Sequence, residues 1–200
     1  MILIIGGQRR KIGKTALVET ILRAFPERRW TAVKITTHHD PPGRGPKVQI
    51  REEREVSPDT DTGRYLAAGA ARAYLVRCAP DAVAEACGEL KRLGVLEGPA
   101  VIESGAAARC VHPRTFVFLV DADPEAEAKG SFQAYSEQAD AFVIVATGRP
   151  APAYRLRLPA GRPRFFVPPG NFRSRPLLAF LRERLESAPF SQRREEPRGR

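Results

Sequence analysis

Residues 1–16 read MILIIGGQRRKIGKTA, and this stretch decides the fold. Met1 to Ile5 is a short apolar run that reads as a buried strand, and it breaks at Gly6 and Gly7. A polar loop follows and closes on Gly13-Lys14-Thr15, after which Leu17, Val18, Ile21, Leu22 and Phe25 recur at helical spacing. A strand, a glycine-bounded loop and Gly-Lys-Thr opening a helix are what a phosphate-binding P-loop requires. In such a loop successive backbone N–H groups, with the unpaired N–H groups of the first helical turn, converge on one concavity and bind anionic oxygens. The expected cradle is Gly7, Gln8, Arg9, Arg10, Lys11, Ile12, Gly13, Lys14, Thr15 and Ala16. Within it Lys14 reaches the β- and γ-phosphates as a point charge, and Thr15 offers its hydroxyl to Mg²⁺. The competing reading is a glycine-rich turn that binds nothing.

The loop departs from the standard spacing. Five residues, Gln8 to Ile12, separate Gly7 from Gly13, where the common pattern has about four. Arg9, Arg10 and Lys11 bring extra cations to the loop. They favour a polyphosphate or an anionic second substrate, and one of them could act across a dimer as a charge-stabilising finger.

Two hundred residues with 42% hydrophobic content fit one α/β domain, expected over residues 1–186. The polar residues 187–200 read as a disordered tail. The first strand follows Met1 directly, with no basic n-region and no apolar run of about eighteen residues, so the expected location is cytoplasmic, away from the membrane. Cys78, Cys87 and Cys110 have no close pairwise spacing, which argues against a disulfide framework or a zinc knuckle. The formal charge of +10 is spread along the chain, without a basic helical stripe interleaved with aromatics. That distribution disfavours nucleic acid as the main partner and suits nucleotides and phosphorylated cofactors equally well.

Further along, Trp30 to Thr37 reads as a second strand, with Val33 and Ile35 on one face and Lys34 on the other. Lys34 either reaches a substrate anion or snorkels. Pro41 to Pro58, rich in Gly, Pro and charge, reads as a long loop or flap, either a lid over a ligand or a disordered insertion. Thr60 or Asp61 caps a short helix that carries Tyr65 and Leu66. Ala73 to Val76 is a strand, Asp81 to Leu93 an amphipathic helix ending at Gly94, and Pro99 to Glu103 a short strand ending in a carboxylate. Thr115 to Asp121 and Ala141 to Ala146 are near-continuous apolar runs, the signature of strands covered on both faces, with a helical pattern over 130–139 between them. Arg164 to Val167 adds a strand, and Arg175 to Leu185 a closing helix. The alternation predicts an α/β fold of three layers, a mostly parallel sheet with helices on both faces.

Ligands bind such sheets at the carboxyl ends of the strands. The P-loop, His38 to Asp40, Glu103 and Asp121 therefore fall at one edge. Glu103 is the leading carboxylate for completing a Mg²⁺ site with Thr15, and Asp121 a weaker one. His38 and His39, adjacent at a strand end, cannot both point one way, so they suit substrate or phosphate contact better than metal. The Asn-Lys-x-Asp segment that reads guanine is absent; Thr147-Gly148-Arg149-Pro150 stands where it would be expected, so ATP and GTP both remain open.

Two resemblances add to this reading. The P-loop at the start, Thr37-His38-His39-Asp40, and Asp61-Thr62-x-Arg64-Tyr65 leading to Ala68-Gly69-Ala70 resemble, in order, the molybdopterin-guanine dinucleotide biosynthesis protein B family. That resemblance implies a P-loop NTPase that hydrolyses slowly and is usually a dimer. Its partner would be the enzyme that attaches GMP to molybdopterin. It further implies that Gly13, Lys14 and Thr15 bind phosphate and Mg²⁺, while Asp61 and Arg64 serve the nucleotide or cofactor side. The longer loop and Glu103-Ser104-Gly105 are also similar to dethiobiotin synthetases, which implies an ATP-dependent ligase acting on a carboxylate or carbamate. A third reading is a non-enzymatic, nucleotide-gated binding module.

Overall fold

The computed structural model describes residues 1–37, 46–123, 132–146 and 158–187. The chain runs β1 (Ile2–Gly7), α1 (Lys14–Ala24), β2 (Thr31–Thr37), β3 (Val48–Glu53), α2 (Asp61–Ala67), β4 (Arg72–Cys78) and α3 (Val83–Arg92). It continues through β5 (Ala100–Glu103), β6 (Thr115–Asp121), α4 (Phe132–Ser136), β7 (Ala141–Val145), β8 (Arg164–Val167) and α5 (Arg175–Glu186), with 3₁₀ turns before α3 and after β5.

The strands form one eight-stranded sheet in the order β3-β4-β2-β5-β1-β6-β7-β8. Every pairing is parallel except β3 with β4. The first strand is central, flanked by β5 and β6, and is buried from Leu3 to Gly6. Placing the P-loop strand in the middle surrounds its carboxyl end with those of β5 and β6.

The two-residue period of the strands sorts the core into two layers. Ile4, Val33, Val76, Ile102, Phe116, Phe118 and Phe142 pack against α3 and the 3₁₀ turn after β5. Leu3, Ile5, Ala32, Val101, Val117, Leu119 and Val143 pack against α1, α2 and α5. Lys34 and Glu103 share the parity of Ala32 and Val101, so both side chains emerge on the α1–α2 side. This parity determines which polar groups can meet at the edge.

One expectation is corrected. The stretch expected as a loop or flap over Pro41–Pro58 contains β3, an antiparallel edge strand registering Val48 with Cys78 and Glu53 with Ala73. Val48 and Ile50 pack on the core while the alternate residues Gln49 and Arg51 face out, and an edge strand tolerates such charge. Residues 41–45 of the expected flap, the tail beyond Ser187, and residues 130 and 131 of the expected helix lie outside the described residues. Among the described residues no helix is long and apolar enough to cross a membrane.

Phe172, from the loop before α5, is 1% exposed and packs in the α1–α2–α5 layer. Phe172→Ala is expected to cost about 3–5 kcal/mol, the range for deleting a buried aromatic side chain. Chemical denaturation checks this: the midpoint should fall with the slope unchanged.

Candidate functional site

The loop between β1 and α1 is held on three sides. The Gln8 backbone N–H donates to the Leu119 carbonyl at 2.9 Å, and the Gln8 side-chain oxygen accepts from the Asp121 N–H at 2.9 Å. The Arg9 guanidinium grips one oxygen of the buried Asp121 carboxylate through two nitrogens, at 2.6 and 3.0 Å. Lys14 lies back along the loop, its Nζ donating to the Arg9 carbonyl at 3.2 Å. Ile12, the apolar residue in a cationic loop, is 3% exposed because it folds into the core. Gly13 adopts φ +106°, a left-handed conformation that disfavours a side chain, and a Cβ there would stand 2.5 Å from the Phe172 ring. Glycine is thus required at this position twice over. Arg10 and Lys11 are exposed.

The second half of the site is an acid centre on the α1–α2 side of the sheet. Parallel pairing of β2 with β5 sets Lys34 beside Glu103. Glu103 is 4% exposed, and its Oε2 accepts from the Thr15 hydroxyl at 2.8 Å and from the Tyr65 hydroxyl. Its Oε1 accepts from Lys34 Nζ at 2.8 Å. The same ammonium lies 2.5 Å from Asp61 Oδ2. Asp61 is held there by helix capping: Thr60 accepts from the Gly63 N–H at 3.0 Å, starting α2 at Asp61. Arg64 turns to Glu19 of α1 at 2.5 Å and approaches Asp61 at 3.9 Å.

These contacts shift the ionisation of the cluster. Burial disfavours the Lys34 ammonium, but Glu103 and Asp61 outweigh it and hold its pKa above the ordinary 10.5. Burial also opposes charge on Asp61, yet Lys34, with Thr15 and Arg64 in support, holds its carboxyl below the ordinary 3.8. Burial, and then the adjacent Glu103 charge, push the Tyr65 hydroxyl well above its usual range, so it remains a donor.

The structure brings Lys14, Thr15 and Glu103 to one edge, where the strand pattern put the loop and Glu103, and joins Asp61, Lys34 and Tyr65 to them. Lys34 neither snorkels nor waits for a substrate anion; it bridges two carboxylates. The Tyr65 role escaped sequence reasoning because a tyrosine on an apolar helix face looks like core. Asp121, weighed as a second metal carboxylate, is instead the loop's anchor: Arg9 takes one oxygen and the Asp123 N–H, at 3.0 Å, the other. Arg9, expected to serve phosphate or a neighbouring subunit, is committed to that ion pair. His38, His39, Asp40 and Thr147 to Pro150 lie outside the described residues.

The donor chemistry suits Mg²⁺. With its proton on Glu103, the Thr15 oxygen keeps lone pairs for a hard cation, and Asp61, about one-third exposed, adds a carboxylate beside it. Among the described residues no three His, Cys, Asp or Glu gather into a metal cage. Mg²⁺ bound with a nucleotide needs none, since it takes one or two protein ligands and completes its shell with phosphate and water.

No protein-family model matches the sequence, and no curated protein does. Among solved structures the chain is similar to LpxK from Aquifex aeolicus, in an "apo" form in complex with ATP. The identity is 16% over 82% of this chain and 53% of that one, with a TM-score of 0.50, so the chain spans about half the length of LpxK. It is also similar to HypB from Helicobacter pylori in complex with nickel, at 14% identity over 92% of this chain and 87% of that one, with a TM-score of 0.55. At such identities the likeness is one of fold: the chain has the three-layer α/β fold of the P-loop NTPases.

Proposed function

We propose that the chain binds a Mg²⁺–nucleoside triphosphate in the loop Gly7–Ala16 and hydrolyses it slowly, in the service of guanine-dinucleotide formation on the molybdenum cofactor. The observation that carries the nucleotide reading is the 2.8 Å hydrogen bond from Thr15, on the first turn of α1, to the buried Glu103. It couples the loop to a strand-end carboxylate and fixes the direction of the Thr15 lone pairs.

The loop N–H groups and Lys14 would bind the β- and γ-phosphate oxygens, Lys14 exchanging the Arg9 carbonyl for phosphate. Thr15 would hold the metal, with Glu103 acting on it through the Thr15 hydroxyl and not as a direct ligand, because Glu103 already accepts three hydrogen bonds. Mg²⁺, when bound with the nucleotide, supplies charge neutralisation on the phosphate oxygens. Slow turnover is supported by the state of the two carboxylates. Glu103 already accepts three hydrogen bonds, and Asp61 is a weak base because Lys34 stabilises its charge. The link to the molybdenum cofactor rests on the Asp61-Thr62-x-Arg64 and Ala68-Gly69-Ala70 motifs and on Asp61 reaching the acid centre. A phosphorylated pterin and the enzyme that loads it are the partners this reading names, with a homodimer as the assembly.

Thermal unfolding with Mg²⁺ and ATP, GTP, ADP or GDP tests it. Nucleotide at a hundred times its dissociation constant stabilises by about 2.7 kcal/mol, and Lys14→Ala should abolish the shift. GTP selectivity supports the guanine-dinucleotide role, ATP selectivity favours the ligase-type alternative, and no shift with any nucleotide overturns the reading. Glu103→Gln is expected to weaken Mg²⁺-dependent nucleotide binding at least tenfold, about 1.4 kcal/mol, in calorimetric titration. Asp61, with its folded pKa depressed, contributes stability that is present above pH 3.8 and lost as pH falls below it. The stability gap between wild type and Asp61→Asn in urea should therefore be widest near neutrality. It should close in strong acid and stay below about 1 kcal/mol, given the partial exposure of Asp61.

A further inference from the structure

Lys34 has no place in a standard phosphate loop, yet the fold holds it firmly at the site. It lies within β2, between β4 and β5, with 17% of its side chain exposed and Glu103 as its cross-strand neighbour. Its ammonium sits 2.8 Å from Glu103 and 2.5 Å from Asp61, the two carboxylates around the Thr15 hydroxyl. Two negative charges and one positive leave this cluster with a net charge of −1. Arg64, 3.9 Å from Asp61, does not change it because Arg64 is itself paired with Glu19 at 2.5 Å. A cluster of −2 would draw in a free divalent cation and repel a polyphosphate. A purely structural need does not favour such an arrangement, because a buried ion pair is often no more stable than the apolar residues that could replace it.

We propose that Lys34 is a resident counter-ion that makes metal binding conditional on nucleotide. By half-neutralising the Asp61–Glu103 pair, it leaves the site too weak for the free ion and receptive to the metal–nucleotide complex. This inference rests on the nucleotide reading above and concerns the selectivity of the same site.

Mn²⁺ alone is the probe, titrated into nucleotide-free protein and followed by electron paramagnetic resonance of the free ion. Wild type should bind it weakly. K34M should bind it at least about tenfold more tightly, since a full charge is removed at contact distance. K34R, which keeps the charge, should behave as wild type, and K34M/D61N, which restores a net −1, should return most of the way. Circular dichroism melts establish that each variant is folded, and K34Q serves in place of K34M if that variant is not. The inference is overturned if neither K34M nor K34Q takes up Mn²⁺ more tightly than wild type. It is equally overturned if wild type binds Mn²⁺ as tightly without nucleotide as with it. Wild-type stabilisation by Mg²⁺–nucleotide is measured in parallel. Its absence sinks the nucleotide reading, whereas its presence with unchanged Mn²⁺ affinity in the variants sinks this inference alone.

Discussion

The carboxylate of Glu103 is the constraint on which the site depends. An ionised carboxylate removed from water without partners is penalised by several kcal/mol, so it must be met by donors. Here the donors arrive from three separate elements: Thr15 from α1, Tyr65 from α2 and Lys34 from β2. Each element is thereby placed relative to β5 by the same atom pair. The apolar layer beneath, Ala32, Leu17, Tyr65 and Val101 among others, supplies the cohesion, while the carboxylate supplies the alignment.

The loop cations illustrate how a local composition can mislead. Arg9, Arg10 and Lys11 look in the sequence like three charges waiting for phosphate. The fold spends Arg9 on Asp121, leaving Lys14 to lie against the Arg9 carbonyl and only Arg10 and Lys11 outward. A similar division of labour runs through the edge strand. Glu53 of β3 accepts from the Thr62 hydroxyl at 3.0 Å, which ties the sheet edge to the first turn of α2 and so to Asp61. The antiparallel edge strand is therefore mechanically connected to the acid centre.

What could be read from the sequence was whatever is local. The apolar run at Thr115–Asp121 gave its strand to the residue, because a strand buried on both faces needs nothing beyond its own side chains to announce itself. The P-loop was legible for the same reason. β3 was not, since an edge strand with Arg51, Glu52 and Glu53 is polar enough to pass for loop. The bridge from Lys34 to Glu103 depends on which residue of β2 stands beside which residue of β5, and register between distant strands is not a local property. Ala68-Gly69-Ala70, which in the sequence carries part of a family resemblance, forms a helix stop in the structure. Gly69 turns at φ +98°, and the Ala70 N–H returns to the Tyr65 carbonyl at 3.0 Å.

Gly13 and Phe172 stand at nearly opposite ends of the described chain, yet the aromatic ring is what closes over the glycine. On a ribosome the loop is made well before its brace, about 160 residues earlier in the chain. A nascent chain that has already formed β1 and α1 must wait for the segment before α5 before the loop has its final wall. Premature termination between α1 and Phe172 would thus yield a protein carrying every residue of the phosphate loop but lacking the support that shapes it.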